Sequence, residues 1–121
     1  MVYVFLAEGF EEIEVVEPID IMRRAGIEVV TVSLGDKVVT GSHGIGIEAD
    51  MLIKDISINS AQAIMLPGGM PGTENLFANS NVKGIILQAA DKGIYIAAIC
   101  AAPIILGRLG LLEGKRAICY P

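Results

Sequence analysis

The chain has 121 residues, 53% of them hydrophobic and 19% charged, with a net charge of −5 at neutral pH. That length suits a single domain, and the charged fraction is too low for a disordered tail. An acidic chain without a run of Lys or Arg argues against a nucleic-acid partner or a polybasic membrane patch, and leaves small neutral or polar ligands open.

Apolar runs of strand length alternate with stretches of helical period. This is the pattern of an α/β fold whose mainly parallel sheet is covered by helices on both faces. Val2 to Ala7 is predicted as the first strand; it is too short to span a bilayer and has no basic flank or cleavage site, so no membrane partner and a cytoplasmic location are expected. Glu8-Gly9-Phe10 turns into a helix from about Glu11 to Ala25, stopped by Gly26. Pro18 lies inside that helix and cannot donate to the carbonyl of Glu14, so a kink or loosened turn is expected there.

Ile27 to Leu34 reads as a second strand and Gly35-Asp36 as a turn. Val38-Val39-Thr40 with the Gly-rich stretch Gly41 to Ile47 reads as a short antiparallel excursion. Ala61 to Leu66 is a buried strand that runs into Pro67-Gly68-Gly69-Met70-Pro71-Gly72, a loop whose glycines allow close backbone approach. Asn81 to Lys92 is an amphipathic helix with Val82, Ile85, Ile86 and Ala89 on one face, closed by Gly93. The apolar run Ile94 to Ile99 then leads through Cys100 into the helix-like run Ala101 to Gly107, and Arg116 to Cys119 reads as a last strand.

Cys100 thus stands at a strand-to-helix turn, where a helix N-terminus favours the thiolate and so a nucleophile. A small buried hydrophobe is the other reading of a free cysteine. In open α/β sheets the ligand crevice lies beyond the C-terminal strand ends. Three such ends carry polar or special residues: Glu11 to Glu14, Gly68-Gly69, and Cys100. Glu11 and Glu12 also suit a helix start as simple partners of its dipole.

If Glu14 points inward it faces the thiol, and one of the two must hold a proton. A protonated Glu14 would stabilise the thiolate and serve as general acid or base. The N–H groups of Gly69 and Ala101 are plausible oxyanion donors. His43, the only histidine, reads as a solvated loop residue, with contact to a site as the sharper alternative. Cys119 reads as an inert structural thiol. Two cysteines make neither a disulfide framework nor a metal set, and no stretch offers a metal cluster, a P-loop or a GxGxxG fingerprint, so neither metal nor cofactor is expected.

Ala7-Glu8-Gly9-Phe10-Glu11-Glu12-Ile13-Glu14, Leu66-Pro67-Gly68-Gly69 and Ala97-Ala98-Ile99-Cys100-Ala101-Ala102-Pro103 together resemble the ThiJ/PfpI family. The resemblance is strongest to the branch that holds the Parkinson-disease-associated deglycase and bacterial YajL. Pro18, Asp20 and Met22-Arg23-Arg24-Ala25-Gly26 extend it along essentially the whole chain. It implies a flavodoxin-like, doubly wound fold with Cys100 as the reactive cysteine of a nucleophile elbow and Glu14 as its protonated partner. Gly68, Gly69 and Ala101 would then form the loop and backbone contacts around the substrate oxygen. A homodimer is implied by the resemblance alone.

Two departures narrow the function. The peptidase branch has a histidine directly after the cysteine; Ala101 stands there, so a peptidase is not expected. Some members of the nearer branch have a histidine near the cysteine after the next strand, where this chain has Tyr120. A phenol donates a hydrogen bond but is a poor base at neutral pH, which leaves base chemistry to Glu14 or the thiolate. The family's chain continues through a Gly-rich segment and closing helices, so residues 1–121 are expected to be one C-terminally incomplete domain with an apolar sheet face left uncovered.

Two functions follow. One is a cofactor-independent cysteine enzyme, glyoxalase- or deglycase-like, acting as hydro-lyase or hydrolase on small aldehydes such as methylglyoxal or on glycated adducts. The alternative is a redox-responsive chaperone or stress regulator in which Cys100 is a reversible oxidation sensor.

Overall fold

The computed structural model describes residues 1–121. In chain order the elements are β1 (Val2–Leu6), α1 (Glu12–Arg24), β2 (Val29–Ser33), β3 (Val38–Thr40), β4 (Gly46–Glu48), β5 (Met51–Leu52), β6 (Ala63–Leu66), α2 (Gly72–Ala78), α3 (Ser80–Lys92), β7 (Tyr95–Ala98) and α4 (Pro103–Arg108). Two 3-10 turns, Ile53–Asp55 and Ile58–Ser60, lie between β5 and β6. The central sheet has the order β5-β2-β1-β6-β7, and every neighbouring pair is parallel. This is the expected flavodoxin-like α/β sheet. β3 and β4 form the antiparallel excursion, pairing Val38 with Glu48 and Thr40 with Gly46.

The strands bury both faces because successive side chains point to opposite sides. Tyr3 and Phe5 on β1 enter a core with Ile64 and Leu66 of β6 and with Leu76, Val82, Ile86 and Ile105 from α2, α3 and α4. Val4 and Leu6 enter a second core on the other face, with Phe10, Val15 and Ile19 at α1 and Val39 of β3. On α3 the buried residues are Val82, Ile86 and Ala89, the face read from the sequence. The Asn79 side chain caps that helix by accepting from the N–H groups of Asn81 and Val82, and Gly93 ends it at φ 70°.

Four sequence expectations are corrected. α1 runs unbroken across Pro18; burial of Val15 and Ile19 on either side holds the helix where one missing backbone bond would have loosened it. α2 was not anticipated, since Gly72 and Pro71 read as loop. α4 begins at Pro103 rather than Ala101, in keeping with proline's preference for a first helical turn. Arg116 to Cys119 forms no strand; among its backbone neighbours only the Tyr120 N–H reaches back toward the sheet, to the Cys100 carbonyl at 2.7 Å, and a strand needs a ladder.

The face of β7 on the α1 side is uncovered. Ala63 and Met65 of β6 pair there with Tyr95 and Ala97, and Tyr95 is 80% exposed. No helix is long and apolar enough to cross a membrane. Ile86 is fully buried whereas its neighbour Leu87 is 45% exposed. Ile86→Ala should therefore lower stability by about 2–5 kcal/mol, and Leu87→Ala by no more than about 0.5 kcal/mol, as measured by urea unfolding.

Candidate functional site

From β1 the sheet is built outward in both directions, first through β2 to β5 and then through β6 to β7. The order therefore reverses between β1 and β6, the place where ligand crevices form in such sheets. The loops after these strands meet at that point. Glu11 N–H donates to Gly68 O at 3.0 Å, joining the loop after β1 to the loop after β6. Ile99 N–H donates to Leu66 O at 3.3 Å, joining the end of β7 to the same place.

Cys100 has φ 59°, the only positive φ among the non-glycine residues. A side chain in that region is strained, and such strain gathers at functional turns. The thiol is half-buried. Gly68 shows how tightly the three ends close. A Cβ placed on it would lie 2.7 Å from Glu14 Oε1, 2.9 Å from Cys100 Cβ and 3.0 Å from Ala101 N. Glu14 Oε1 is buried without a hydrogen-bond partner. Gly69, at φ +93°, would drive a Cβ into the backbone of Glu11 and Phe10. Neither Gly69 N–H nor Ala101 N–H has a backbone acceptor.

Burial pushes the Glu14 carboxyl above the ordinary range; repulsion from Glu11 adds to this, while contacts with Cys100 and Gly68 N–H oppose it. The Cys100 thiol is also pushed up, first by burial and then by the charge on Glu14, with Ala101 N–H pulling the other way. This reverses the expectation of a thiol acidified by a helix N-terminus. α4 starts beyond Cys100, and burial together with the Glu14 carboxyl outweighs the Ala101 N–H. Burial is the largest cause of both shifts, and a charged Glu14 raises the thiol further, so the two are not readily charged together. A proton on Glu14 removes the repulsion and turns the carboxyl into a donor.

The remaining predicted residues divide. Tyr120 lies beside Cys100 and lines with it, Ile118 and Cys119 an open pocket of about 290 Å³. A larger hollow of about 370 Å³ lies at the ends of β1 and β2, away from the thiol, lined in part by Glu8, Asp36 and Asn75. His43 is held by Glu12: its Nδ1 is 2.9 Å from Glu12 Oε2, its backbone N–H donates to Glu12 Oε1 at 2.7 Å, and Glu11 Oε1 is 3.7 Å away. Glu11, Glu12 and His43 place ligand-type atoms within 4.8 Å of one another, a grouping the sequence reading did not find because the residues lie far apart in the chain. Glu12 is buried there, so it serves more than the helix dipole. Its oxygens fasten the Ser42–Ile45 loop to α1.

The whole chain, residues 1–121, matches the DJ-1/PfpI family. It belongs to that family. Protein DJ-1 homolog B of Arabidopsis thaliana is 42% identical over 118 residues, which cover 96% of this chain and 27% of that protein. A deglycase of Pyrococcus abyssi is 31% identical over 120 residues, covering 99% of this chain and 72% of the relative. The solved structure of oxidized Toxoplasma gondii DJ-1 superposes with a TM-score of 0.93 at 41% identity, covering 99% of this chain and 66% of that one. Against Drosophila melanogaster dj-1beta the covered share is 64% of the relative. The chain thus spans less than two thirds of several family members it matches.

Burial alone would raise Glu12, but hydrogen bonds from the His43 ring and from backbone N–H groups outweigh it and hold the carboxyl at about 2, below the ordinary 4.5. His43 is raised above 6.5 by the same hydrogen bond and by the charges of Glu11 and Glu12. The depressed acid stabilises the fold above its unfolded value and loses that contribution as pH falls through about 2. The raised imidazole stabilises below its unfolded value and loses that contribution as pH rises through its folded one. The melting-temperature gap between wild type and His43→Ala should be widest between pH 4.5 and 6.5 and narrow on both sides, as thermal scans across pH would show.

Proposed function

We propose that this protein is a cofactor-independent cysteine enzyme acting on reactive small carbonyls or their adducts, with Cys100 as nucleophile and Glu14 as proton shuttle. The observation that carries this reading is the unpartnered, buried Glu14 Oε1, gathered with Cys100 Cβ and Ala101 N around the space left by Gly68. A buried carboxyl oxygen without a hydrogen-bond partner favours the neutral acid. The deglycase name of the Pyrococcus abyssi relative supports the substrate class. A homodimer and a cytoplasmic location belong to the same reading.

With methylglyoxal the Cys100 thiolate adds to the aldehyde carbon, and the carbonyl electron pair moves to oxygen. The N–H groups of Gly69 and Ala101 receive that charge, and Glu14 supplies the proton that completes the hemithioacetal. The resulting Glu14 carboxylate removes the hydrogen from the former aldehyde carbon and returns it to the neighbouring carbon. The hemithioacetal hydroxyl proton passes to the former ketone oxygen, so the ketone becomes a secondary alcohol and the first carbon a thioester, with no external oxidant. Water hydrolyses the thioester to a hydroxy acid and frees the thiol. The arrangement needs no histidine, which fits the engagement of His43 with Glu12 and the phenol at Tyr120.

Steady-state loss of methylglyoxal with identification of the product tests the reading. Wild type should give multiple turnovers to lactate, Cys100→Ser should give none, and Glu14→Gln should lower kcat by about 10²–10⁴-fold, the usual share of a general acid–base group. Multiple turnovers that survive Cys100→Ser, or a wild type that never turns over, would overturn it.

A further inference from the structure

The sequence reads Cys119 as an inert structural thiol; in the structure it is exposed and lines the same pocket as Cys100. Its Sγ lies 3.7 Å from the carbonyl oxygen of Ala101, the residue after Cys100, and 3.2 Å from Tyr120 O. The Tyr120 N–H donates to Cys100 O at 2.7 Å. That single bond limits the separation of the two cysteines. Adding standard backbone lengths to it puts their Cα atoms no farther apart than about 7.5 Å. Disulfides form at Cα separations of about 4.4–6.8 Å, and the segment from 116 to 121 sits in no ladder that would stop it closing the remainder.

We propose that Cys119 is the resolving cysteine for Cys100, so that a hydroperoxide converts the pair into an intramolecular disulfide and shields Cys100 from irreversible oxidation. The proposal rests on the reading of Cys100 as the reactive thiol. In the first step the Cys100 thiolate attacks the peroxide oxygen. An S–O bond forms, the O–O bond breaks, and hydroxide leaves, taking a proton to become water. In the second step the Cys119 thiolate attacks the Cys100 sulfur. The S–S bond forms, the S–O bond breaks, and hydroxide leaves with the proton that Cys119 gave up. Two thiols lose two electrons, and one hydrogen peroxide becomes two waters.

The position of Cys119 suits this role. It is more open to solvent than Cys100, so its thiolate is accessible, and it stands outside the niche that Glu14 closes. Cys100 is thereby free to hold substrate when reduced and is covered by the 118–120 segment when oxidised. A reactive cysteine with no thiol neighbour would proceed instead to the sulfinic acid.

The test is dilute hydrogen peroxide on the full chain, followed by intact mass, peptide mapping and methylglyoxal turnover before and after dithiothreitol. The expected result is a monomer linked between the Cys100 and Cys119 peptides, inactive until reduced. Cys119→Ser, assayed in reductant, should turn over methylglyoxal like wild type, but under peroxide it should accumulate sulfinic acid at Cys100 that dithiothreitol does not reverse. Sulfinic acid at Cys100 in wild type with Cys119 still alkylatable would overturn the proposal while leaving the proposed enzyme intact. So would a disulfide found only between molecules. A Cys100 inert to both peroxide and methylglyoxal would overturn the two readings together.

Discussion

The hydrogen bond from Glu11 N–H to Gly68 O ties the loop after β1 to the loop after β6 at 3.0 Å, and the site is built around that closure. Because α1 begins one residue after Glu11, fixing Glu11 fixes the direction from which Glu14 enters. Because Gly68 has no side chain, Glu14 can reach the space next to Cys100 and Ala101. A larger residue at 68 would fill the niche, and a looser loop would admit water to Glu14. The parallel register, with Val2 opposite Ala63 and Leu66 opposite Ala98, brings the three strand ends to one level. Sheet topology thus brings two acids into one niche, where burial disfavours the charged form of each.

Two carboxylates of α1 have opposite fates only two residues apart. Glu12 meets a histidine and a row of backbone N–H groups, and is held ionised at about 2. Glu14 meets a thiol in an apolar niche and is pushed the other way. Composition alone treats them alike; the difference is which donors surround each. The first is suited to anchoring the Ser42–Ile45 loop, and the second to moving a proton. Glu11 serves both, through its backbone bond to Gly68, the repulsion it adds at Glu14 and the attraction it adds at His43.

Most of the sheet was legible because its strands are continuous apolar runs bounded by glycine, and α3 because Val82, Ile86 and Ala89 repeat at helical spacing. The three strand-end segments of the site were legible for the related reason that parallel strands place their C-terminal loops together. What escaped the sequence depended on tertiary partners. The β5 strand is two residues long and exists only against Val32 and Ser33. Arg116 to Cys119 has strand-like composition but gains only one nearby backbone bond. The Glu12–His43 contact joins positions 31 residues apart, which no local pattern reveals, although an acid and the lone histidine both beside Gly-rich loops were a faint signal. The direction of the Cys100 shift differs from the sequence expectation because a helix start is visible in sequence, whereas the burial that contributes most to the shift is set by tertiary packing.

The central claim is that at neutral pH the Glu14–Cys100 pair holds its proton on the carboxyl. Difference infrared spectroscopy of wild type against Glu14→Gln, in reductant, reads that proton directly. The account predicts the carbonyl stretch of a neutral carboxylic acid in wild type at pH 7, absent from the variant. A wild-type spectrum showing only carboxylate bands at Glu14 would contradict it, because the proton would then rest on sulfur and the nucleophile would be absent.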